Sequence, residues 1–132
     1  MFRFNVRMPS ELPSGYSGIR SSIINLIPDL IDAGVQVLNP IQLSARNMDP
    51  VKLKEEFGKD LVFWGGGCDT QTTLTMGRLK EIEYEVKRLI KIFAPGGGFV
   101  FTQVHNIQIN ISPEKIMTLY NTAQKNRMYS SL

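Results

Sequence analysis

Residues 61–71 have the sequence Leu-Val-Phe-Trp-Gly-Gly-Gly-Cys-Asp-Thr-Gln, an apolar run that ends in glycines and polar side chains. Two other runs share this design, Val-Gln-Val-Leu-Asn-Pro-Ile-Gln at 35–42 and Gly-Gly-Gly-Phe-Val-Phe-Thr-Gln-Val-His-Asn-Ile-Gln at 96–108. Parallel strands are continuously apolar because both faces of their sheet are covered, and α/β barrels build their active sites from the loops after those strands. The three runs therefore predict buried parallel strands with a polar site at their carboxyl ends.

Segments with helical periodicity separate these strands. They begin at Ser21 or Ser22, at Asp49-Pro50, near residue 79 and at Ser112-Pro113. Ser and Asp are favoured N-cap residues and proline suits the first helical turn, whereas Pro28 inside the first pattern predicts a kink or a late helix start. In the helix over about 79–93, the solvated side is expected to carry Glu81, Glu83, Glu85 and Lys87. In the last helix, the inward side is expected to carry Ile116, Leu119, Tyr120 and Ala123.

The strands and helices alternate along the whole chain. Residues 2–7 alternate apolar and polar side chains and predict a short first strand, which is followed by strands at 35–39, 61–64 and 99–104. Residues 1–20 otherwise form an irregular N-terminal segment. The order βαβαβαβα predicts an α/β fold with a parallel sheet and right-handed crossovers. Four such units do not close a barrel. Trp64 is expected to pack in the barrel or between a strand and a helix.

The bulk composition excludes several classes of protein. The 132 residues carry a net charge of +3, and the basic residues are spread along the chain, which indicates a solvated surface and not a nucleic-acid interface. A single cysteine cannot form an internal disulfide, which fits a reducing cytoplasm. There is no apolar run near 18 residues and no basic-then-apolar leader, so neither membrane spanning nor secretion is predicted.

Many blocks of the chain resemble, in order, the uroporphyrinogen decarboxylase superfamily. The match runs from about residue 22 to 125 and is most similar to the decarboxylase-like proteins related to corrinoid and coenzyme M methyltransferases. The blocks are Ile-Pro-Asp-Leu-Ile-Asp-Ala-Gly-Val (27–35), Leu-Asn-Pro-Ile-Gln (38–42), Met-Asp-Pro (48–50), Trp-Gly-Gly-Gly (64–67), Asp-Thr-Gln (69–71), Ala-Pro-Gly-Gly-Gly-Phe-Val-Phe (94–101), Val-His-Asn-Ile-Gln (104–108) and Pro-Glu-Lys-Ile (113–116).

The resemblance implies a TIM barrel of which residues 21–132 form the C-terminal half, a half-barrel of four βα units. The family's N-terminal half, with its arginine-rich loop and its aspartate, has no counterpart in this sequence. Methyltransferase relatives bind zinc through a His-x-Cys pair just before the first matched helix, where this chain has Gly18-Ile19-Arg20. We therefore expect no metal and no cofactor.

These implications leave three functions open. The chain is expected to be a decarboxylase- or methyltransferase-like protein that is inactive alone because its N-terminal half-site is missing. It is alternatively a truncated, non-catalytic remnant, or a module that self-associates and binds a small anion, with a small carboxylated ligand as one candidate. An isolated half-barrel leaves strand edges and part of its core open, so we expect a partner. That partner is a second copy or a chain that supplies the N-terminal half-barrel.

His105 is the candidate catalytic residue. It follows the strand predicted at 99–104, and an imidazole there can bind a carboxylate, move a proton or ligate a metal. The resemblance places it where family members have a substrate-contacting histidine or a last zinc ligand, whereas the alternative is a structural histidine in a loop. Cys68 is better explained as a small, semi-buried residue than as a nucleophile, since only His105 could act as its base.

The candidate substrate-binding residues are amides and small groups at the strand ends. An amide can hydrogen-bond a substrate without ionising, although it can equally satisfy a loop. Asp69 is either a ligand or a plain N-cap, and the backbone at Gly66 allows a ligand to approach closely. Neither triple-glycine segment has the pattern of a phosphate loop. The candidates are Asn39, Gln42, Gly66, Asp69, Gln71, Asn106 and Gln108.

Overall fold

The centre of the fold is a three-stranded parallel sheet in the order β1-β2-β3. The computed structural model describes residues 23–45 and 47–127. The strands are β1 (Val37–Leu38), β2 (Val62–Trp64) and β3 (Phe99–Val100). Leu38 pairs with Phe63 and Phe63 pairs with Phe99. The prediction of an α/β fold with a parallel sheet is confirmed, while the strand predicted at 2–7 lies outside the described residues.

Five helices accompany the sheet. They are α1 (Ile27–Asp32), which follows a 3-10 turn (Ile24–Leu26), α2 (Pro50–Phe57), α3 (Thr73–Met76), α4 (Leu79–Phe93) and α5 (Pro113–Lys125). The late start of α1 confirms the prediction from Pro28, because proline is tolerated only in the first turn. The sequence did not predict α3, and the N-caps suggested at 21 or 22 lie outside the described residues. None of the helices within 23–45 and 47–127 is long and apolar enough to cross a membrane.

The predicted helix starts at Asp49 and Ser112 are confirmed by their hydrogen bonds. Asp49 Oδ1 accepts a bond of 3.0 Å from the backbone N–H of Lys52. Ser112 Oγ accepts one of 3.4 Å from the N–H of Lys115. Each cap satisfies one of the N–H groups that have no partner within their helix. The starts of α2 and α5 were thus determined by residues adjacent in sequence.

The third strand is shorter than predicted and ends at Val100, not at residue 104. Gly65 and Gly66 have φ angles of 108° and 69°, which take the neighbouring β2 backbone out of the extended conformation. Isolated hydrogen bonds continue the pairing, from Gly65 N–H to the Val100 carbonyl (3.1 Å) and from Gly67 N–H to the Thr102 carbonyl (2.9 Å). The two segments therefore remain side by side beyond the regular sheet.

Helices cover one face of the sheet. Leu38, Phe63 and Phe99 lie on this face, where Phe63 and Phe93 of α4 are both fully buried. The ring centroid of Phe93 is 5.1 Å from that of Phe63 and 5.2 Å from that of Phe99. Aromatic rings at these separations attract one another in addition to burying apolar area. Phe93 is thus the residue that joins α4 to two strands.

A second apolar cluster lies between α4 and α5. Ile82 and Val86 of α4 are buried there with Leu119 of α5. Tyr120, predicted to face inward, is 43% exposed, and its hydroxyl donates a hydrogen bond of 2.8 Å to Gln103 Oε1. The prediction for Tyr120 is therefore wrong. Its phenol has a polar partner near the surface, whereas Thr122 is buried instead.

The opposite face of the sheet is apolar, and the described residues leave it largely uncovered. Val37 and Val62 lie on this face with Trp64 and Val100, and none of these four belongs to either apolar cluster of the described residues. Trp64 is 41% exposed and Val100 is 38% exposed. The expected packing of Trp64 against a helix or inside a barrel is absent from the part of the chain that the structure describes. A parallel sheet normally has both faces covered.

Candidate functional site

A cavity of about 360 Å³ lies at the carboxyl edge of the sheet. The loops that follow β1, β2 and β3 each contribute to its wall, and α4 closes one side. Five of the candidate residues from the sequence line this cavity together, namely Gln42, Gly66, Asp69, Gln71 and His105. Parallel strands bring their carboxyl ends to one edge, so residues distant in sequence meet there.

The remaining candidates lie elsewhere. Asn106 and Gln108 line a second, more open cavity beside the first. Asn39 lines neither cavity and is exposed next to Pro40, in the loop that follows β1. The structure therefore brings most of the amides to the carboxyl edge of the sheet and leaves Asn39 away from both cavities.

Glycine at position 67 lets two loops of the first cavity approach each other. A Cβ atom at Gly67 would lie 2.5 Å from Phe101 Cε2 and 2.8 Å from the carbonyl oxygen of Thr102. No side chain fits in that space without displacement of the backbone. The resulting close approach of the loop after β2 to the segment after β3 places Gly66 and His105 around the same cavity.

Asp69 adopts the capping geometry that the sequence offered as one alternative. Its Oδ1 accepts hydrogen bonds from the backbone N–H groups of Gln71 (2.8 Å) and Thr72 (3.3 Å). These bonds hold the turn that leads into α3. The carboxylate is therefore already occupied by the backbone of its own loop.

Glu85 was expected on the solvated side of α4, and this expectation is wrong. Its Oε1 accepts a hydrogen bond of 3.3 Å from the Asp69 N–H, and its Oε2 lies 3.6 Å from the Cys68 sulfur, which donates to it. Glu85 follows the buried Ile82 by three residues and precedes the buried Leu89 by four. These spacings place it at the border of the apolar face, the one signal in the sequence that could have located it.

The thiol of Cys68 is held in its protonated form. The side chain is fully buried, and burial, followed by the neighbouring carboxylate of Glu85, raises the pKa of this thiol well above its ordinary value. The thiolate is the nucleophilic form of cysteine, so an increase in pKa suppresses reactivity. The arrangement agrees with the interpretation of Cys68 as a small structural residue.

The raised pKa of Cys68 predicts a loss of stability at high pH. Below the ordinary thiol pKa of about 8.5 both states are protonated, whereas above it the unfolded chain ionises and the folded chain does not. We expect this residue to lower the free energy of unfolding by about 1 kcal/mol between about pH 8 and pH 9.5. Urea unfolding of the natural chain and of Cys68→Ala across this range isolates the effect. Equal slopes for both proteins would contradict the prediction.

The ionisable side chains around the first cavity differ in whether they already have a hydrogen-bond partner. The carboxylates of Asp49, Asp69 and Glu85 all accept hydrogen bonds from backbone N–H groups. By contrast, the side chains of Arg88 and His105, both exposed, form no hydrogen bond and no ion pair with any residue of 23–45 or 47–127. Arg88 was not predicted from the sequence, although it directly precedes the buried Leu89. Arg88 is therefore the charged side chain of this cavity whose donors all lack a partner among the described residues.

The described residues include no cluster of three His, Cys, Asp or Glu side chains that could hold a metal ion. Neither a protein-family model nor a curated protein matches this chain.

Proposed function

We propose that the first cavity binds a small carboxylated ligand. The observation that carries the proposal is that Arg88 and His105 are unengaged, while every carboxylate around the cavity is bound to the backbone. The Arg guanidinium presents a planar pair of N–H donors that matches the two oxygens of a carboxylate. An imidazole and the Gln71 amide supply further donors. The guanidinium of Arg88 thus remains available to a ligand, whereas the three carboxylates of the wall keep their negative charge and are each held by a backbone N–H group.

In this proposal the chain is a four-unit half-barrel of the uroporphyrinogen decarboxylase-like TIM type, and it carries out no catalysis alone. The parallel order of the strands and the position of the cavity at their carboxyl ends support the barrel. Two features of the site support the lack of catalysis. Cys68 is protonated and buried, and the carboxylates that could act as bases already accept hydrogen bonds. His105 alone is left to move a proton, and a single such group is a weak basis for catalysis.

Arg88→Gln is expected to weaken the binding of tricarballylate, a small tricarboxylate, by about tenfold or more, since a charged hydrogen-bonded pair would be lost. Isothermal titration calorimetry measures the affinity. Lys125→Gln, on the exposed side of α5, makes the same change in net charge away from the cavity. An equal loss in both variants would indicate non-specific attraction and would contradict the proposal, as would the absence of any binding by the natural chain.

We further propose that a second copy of the chain covers the open face of the sheet. That face carries no charged side chain on its strands, and within the described residues β1 and β3 each pair on one side only. Two half-barrels whose free edges pair reciprocally would close one barrel and cover both faces at once. A different chain that supplies the N-terminal half would cover the same surface. The experiment below distinguishes this alternative from a second copy.

Trp64→Asp is expected to convert the self-associated protein to a monomer, because a buried, unpaired carboxylate at the centre of the interface is costly. Light scattering during gel filtration measures the mass. Tyr84→Asp is the matched control, since Tyr84 is 71% exposed on α4 and lies away from the sheet face. A well-folded monomer of the natural chain at micromolar concentration would contradict self-association and favour a separate partner chain.

A further inference from the structure

The second cavity has a different chemistry from the first. It has a volume of about 480 Å³, and no Asp, Glu, Lys or Arg lines it. Its wall consists of Thr70, Thr75, Asn106, Gln108 and Asn110, together with Gln71 and His105, which it shares with the first cavity. The two cavities therefore adjoin. Arg88 lines the first, and uncharged polar side chains make up most of the wall of the second.

We propose that the two cavities together bind one elongated ligand, which has a carboxylate at one end and a neutral chain of amide or hydroxyl groups at the other. The carboxylate lies beside Arg88, and the neutral chain passes Gln71 and His105 into the second cavity. This proposal rests on the proposed function and deepens it by specifying the class of ligand. The shared residues are its geometric basis, because one ligand can contact both cavities only where they adjoin.

Unengaged polar groups support a ligand in the second cavity. Thr70 is only 4% exposed, and its hydroxyl oxygen is a buried polar atom with no hydrogen-bond partner among the described residues. A buried hydroxyl without a partner has lost its hydrogen bonds to water without replacement, which is unfavourable. Because Thr70 lines the second cavity, a polar ligand group there is the partner that we propose for this hydroxyl. The hydroxyl of Thr75, by contrast, already donates to the Thr70 carbonyl oxygen at 2.5 Å.

The side-chain amides favour a neutral chain over a second charge. Those of Gln71, Asn106 and Asn110 have no hydrogen bond within 23–45 and 47–127. Each amide offers both donors and an acceptor, which pair equally well with a peptide group or a hydroxyl. No lysine or arginine lines this cavity to compensate the desolvation of a second carboxylate, and the nearby ammonium of Lys115 already donates to the carbonyl oxygen of Thr75 at 2.7 Å. Peptide-like and polyol ligands share the required chemistry.

Binding of a matched series of carboxylates tests the proposal. The natural chain is titrated with propionate, with gluconate and with N-acetyltriglycine, and then with N-acetyltriglycine amide, which lacks the charge. Gluconate or N-acetyltriglycine is expected to bind at least about tenfold more tightly than propionate. The tighter of the two identifies the neutral chain as hydroxyl- or amide-bearing. The uncharged amide is expected to bind no better than propionate, and tight binding of it would overturn the assignment of the carboxylate end.

Asn106→Ala locates the neutral end of the ligand. Its side chain lines the second cavity only and has no hydrogen bond in the described part of the chain, so the fold is expected to tolerate the change. The variant is expected to lose several-fold in affinity for the longer ligand and nothing for propionate. Asn121→Ala, on the exposed side of α5, is the matched control.

The outcomes separate the two proposals. Equal affinity for propionate and both longer carboxylates would overturn the elongated ligand while leaving the carboxylate site of the first cavity intact. Equal sensitivity of propionate and the longer ligand to Asn106→Ala would also overturn it. If none of the carboxylate ligands binds, tricarballylate included, the proposed function itself is overturned, and the elongated ligand with it.

Discussion

Phe93→Ala is expected to remove about 3–5 kcal/mol of stability, the usual cost of deleting a fully buried aromatic ring. Phe93 is fully buried and packs against Phe63 of β2 and Phe99 of β3. Its removal leaves a cavity between the longest helix and the sheet and also removes two ring contacts. Because small domains have only about 5–15 kcal/mol in total, a substantial part of the protein is expected to unfold.

Urea unfolding followed by circular dichroism measures the loss at Phe93. Tyr84→Ala is the matched control, because it removes an aromatic ring of similar size from the same helix at a position that is 71% exposed. The control is expected to change the free energy of unfolding by about 0.5 kcal/mol or less. A loss below about 1 kcal/mol at Phe93 would show that α4 is not held to the sheet by this residue.

Gly67→Ala is expected to cost about 2–4 kcal/mol, which combines steric overpacking with a weakened backbone hydrogen bond. The added methyl group would lie 2.8 Å from the Thr102 carbonyl oxygen, the same atom that accepts the Gly67 N–H at 2.9 Å. The oxygen cannot move away without lengthening that bond. The ring of Phe101, 2.5 Å from the added atom, restricts the other direction.

The cost at Gly67 is steric, and a second glycine separates it from backbone strain. Gly97 has a φ of 81°, and no atom apart from its own and those of its two chain neighbours lies within 4 Å of the place that a Cβ would take there, so Gly97→Ala costs only the left-handed penalty of about 1–2 kcal/mol. We expect Gly67→Ala to be the more destabilising and to abolish tricarballylate binding, since it separates two loops of the first cavity. Chemical denaturation and calorimetry measure the two effects. A smaller loss at Gly67 than at Gly97 would contradict the steric explanation.

Local signals in the sequence were sufficient where a structure depends on neighbouring residues. The caps at Asp49 and Ser112 form as predicted, and Pro28 delays the start of α1. The ion pair from Glu83 to Lys87, at 3.6 Å, follows from their i,i+4 spacing. The alternation of apolar runs with helical segments likewise sufficed to predict a parallel sheet, because the type of each element depends on a short window of sequence.

Only part of the site could be predicted from the sequence in the same way. The order of the strands predicted that loop residues such as Gln71 and His105 would meet, and both line the first cavity. Neither the inward position of Glu85 nor the availability of Arg88 followed from the pattern of charges. A carboxylate at the border of an apolar face can point into solvent or towards the neighbouring loop. Its orientation depends on whether that loop offers a hydrogen-bond donor. For Glu85 that donor is the Asp69 N–H.

The sequence by itself determined the α/β class, the parallel order and the starts of α2, α4 and α5, since these depend on periodicity and on contacts within one turn. Only the tertiary structure decided which groups the site leaves free. In the folded chain, backbone N–H groups donate hydrogen bonds to Asp49, Asp69 and Glu85. Burial raises the pKa of the Cys68 thiol and so keeps it protonated. The side chain of Arg88 is left without a partner among the described residues. Burial and pairing depend on residues that are distant in sequence and adjacent in space. No local sequence pattern predicts which donor will lie opposite a given carboxylate.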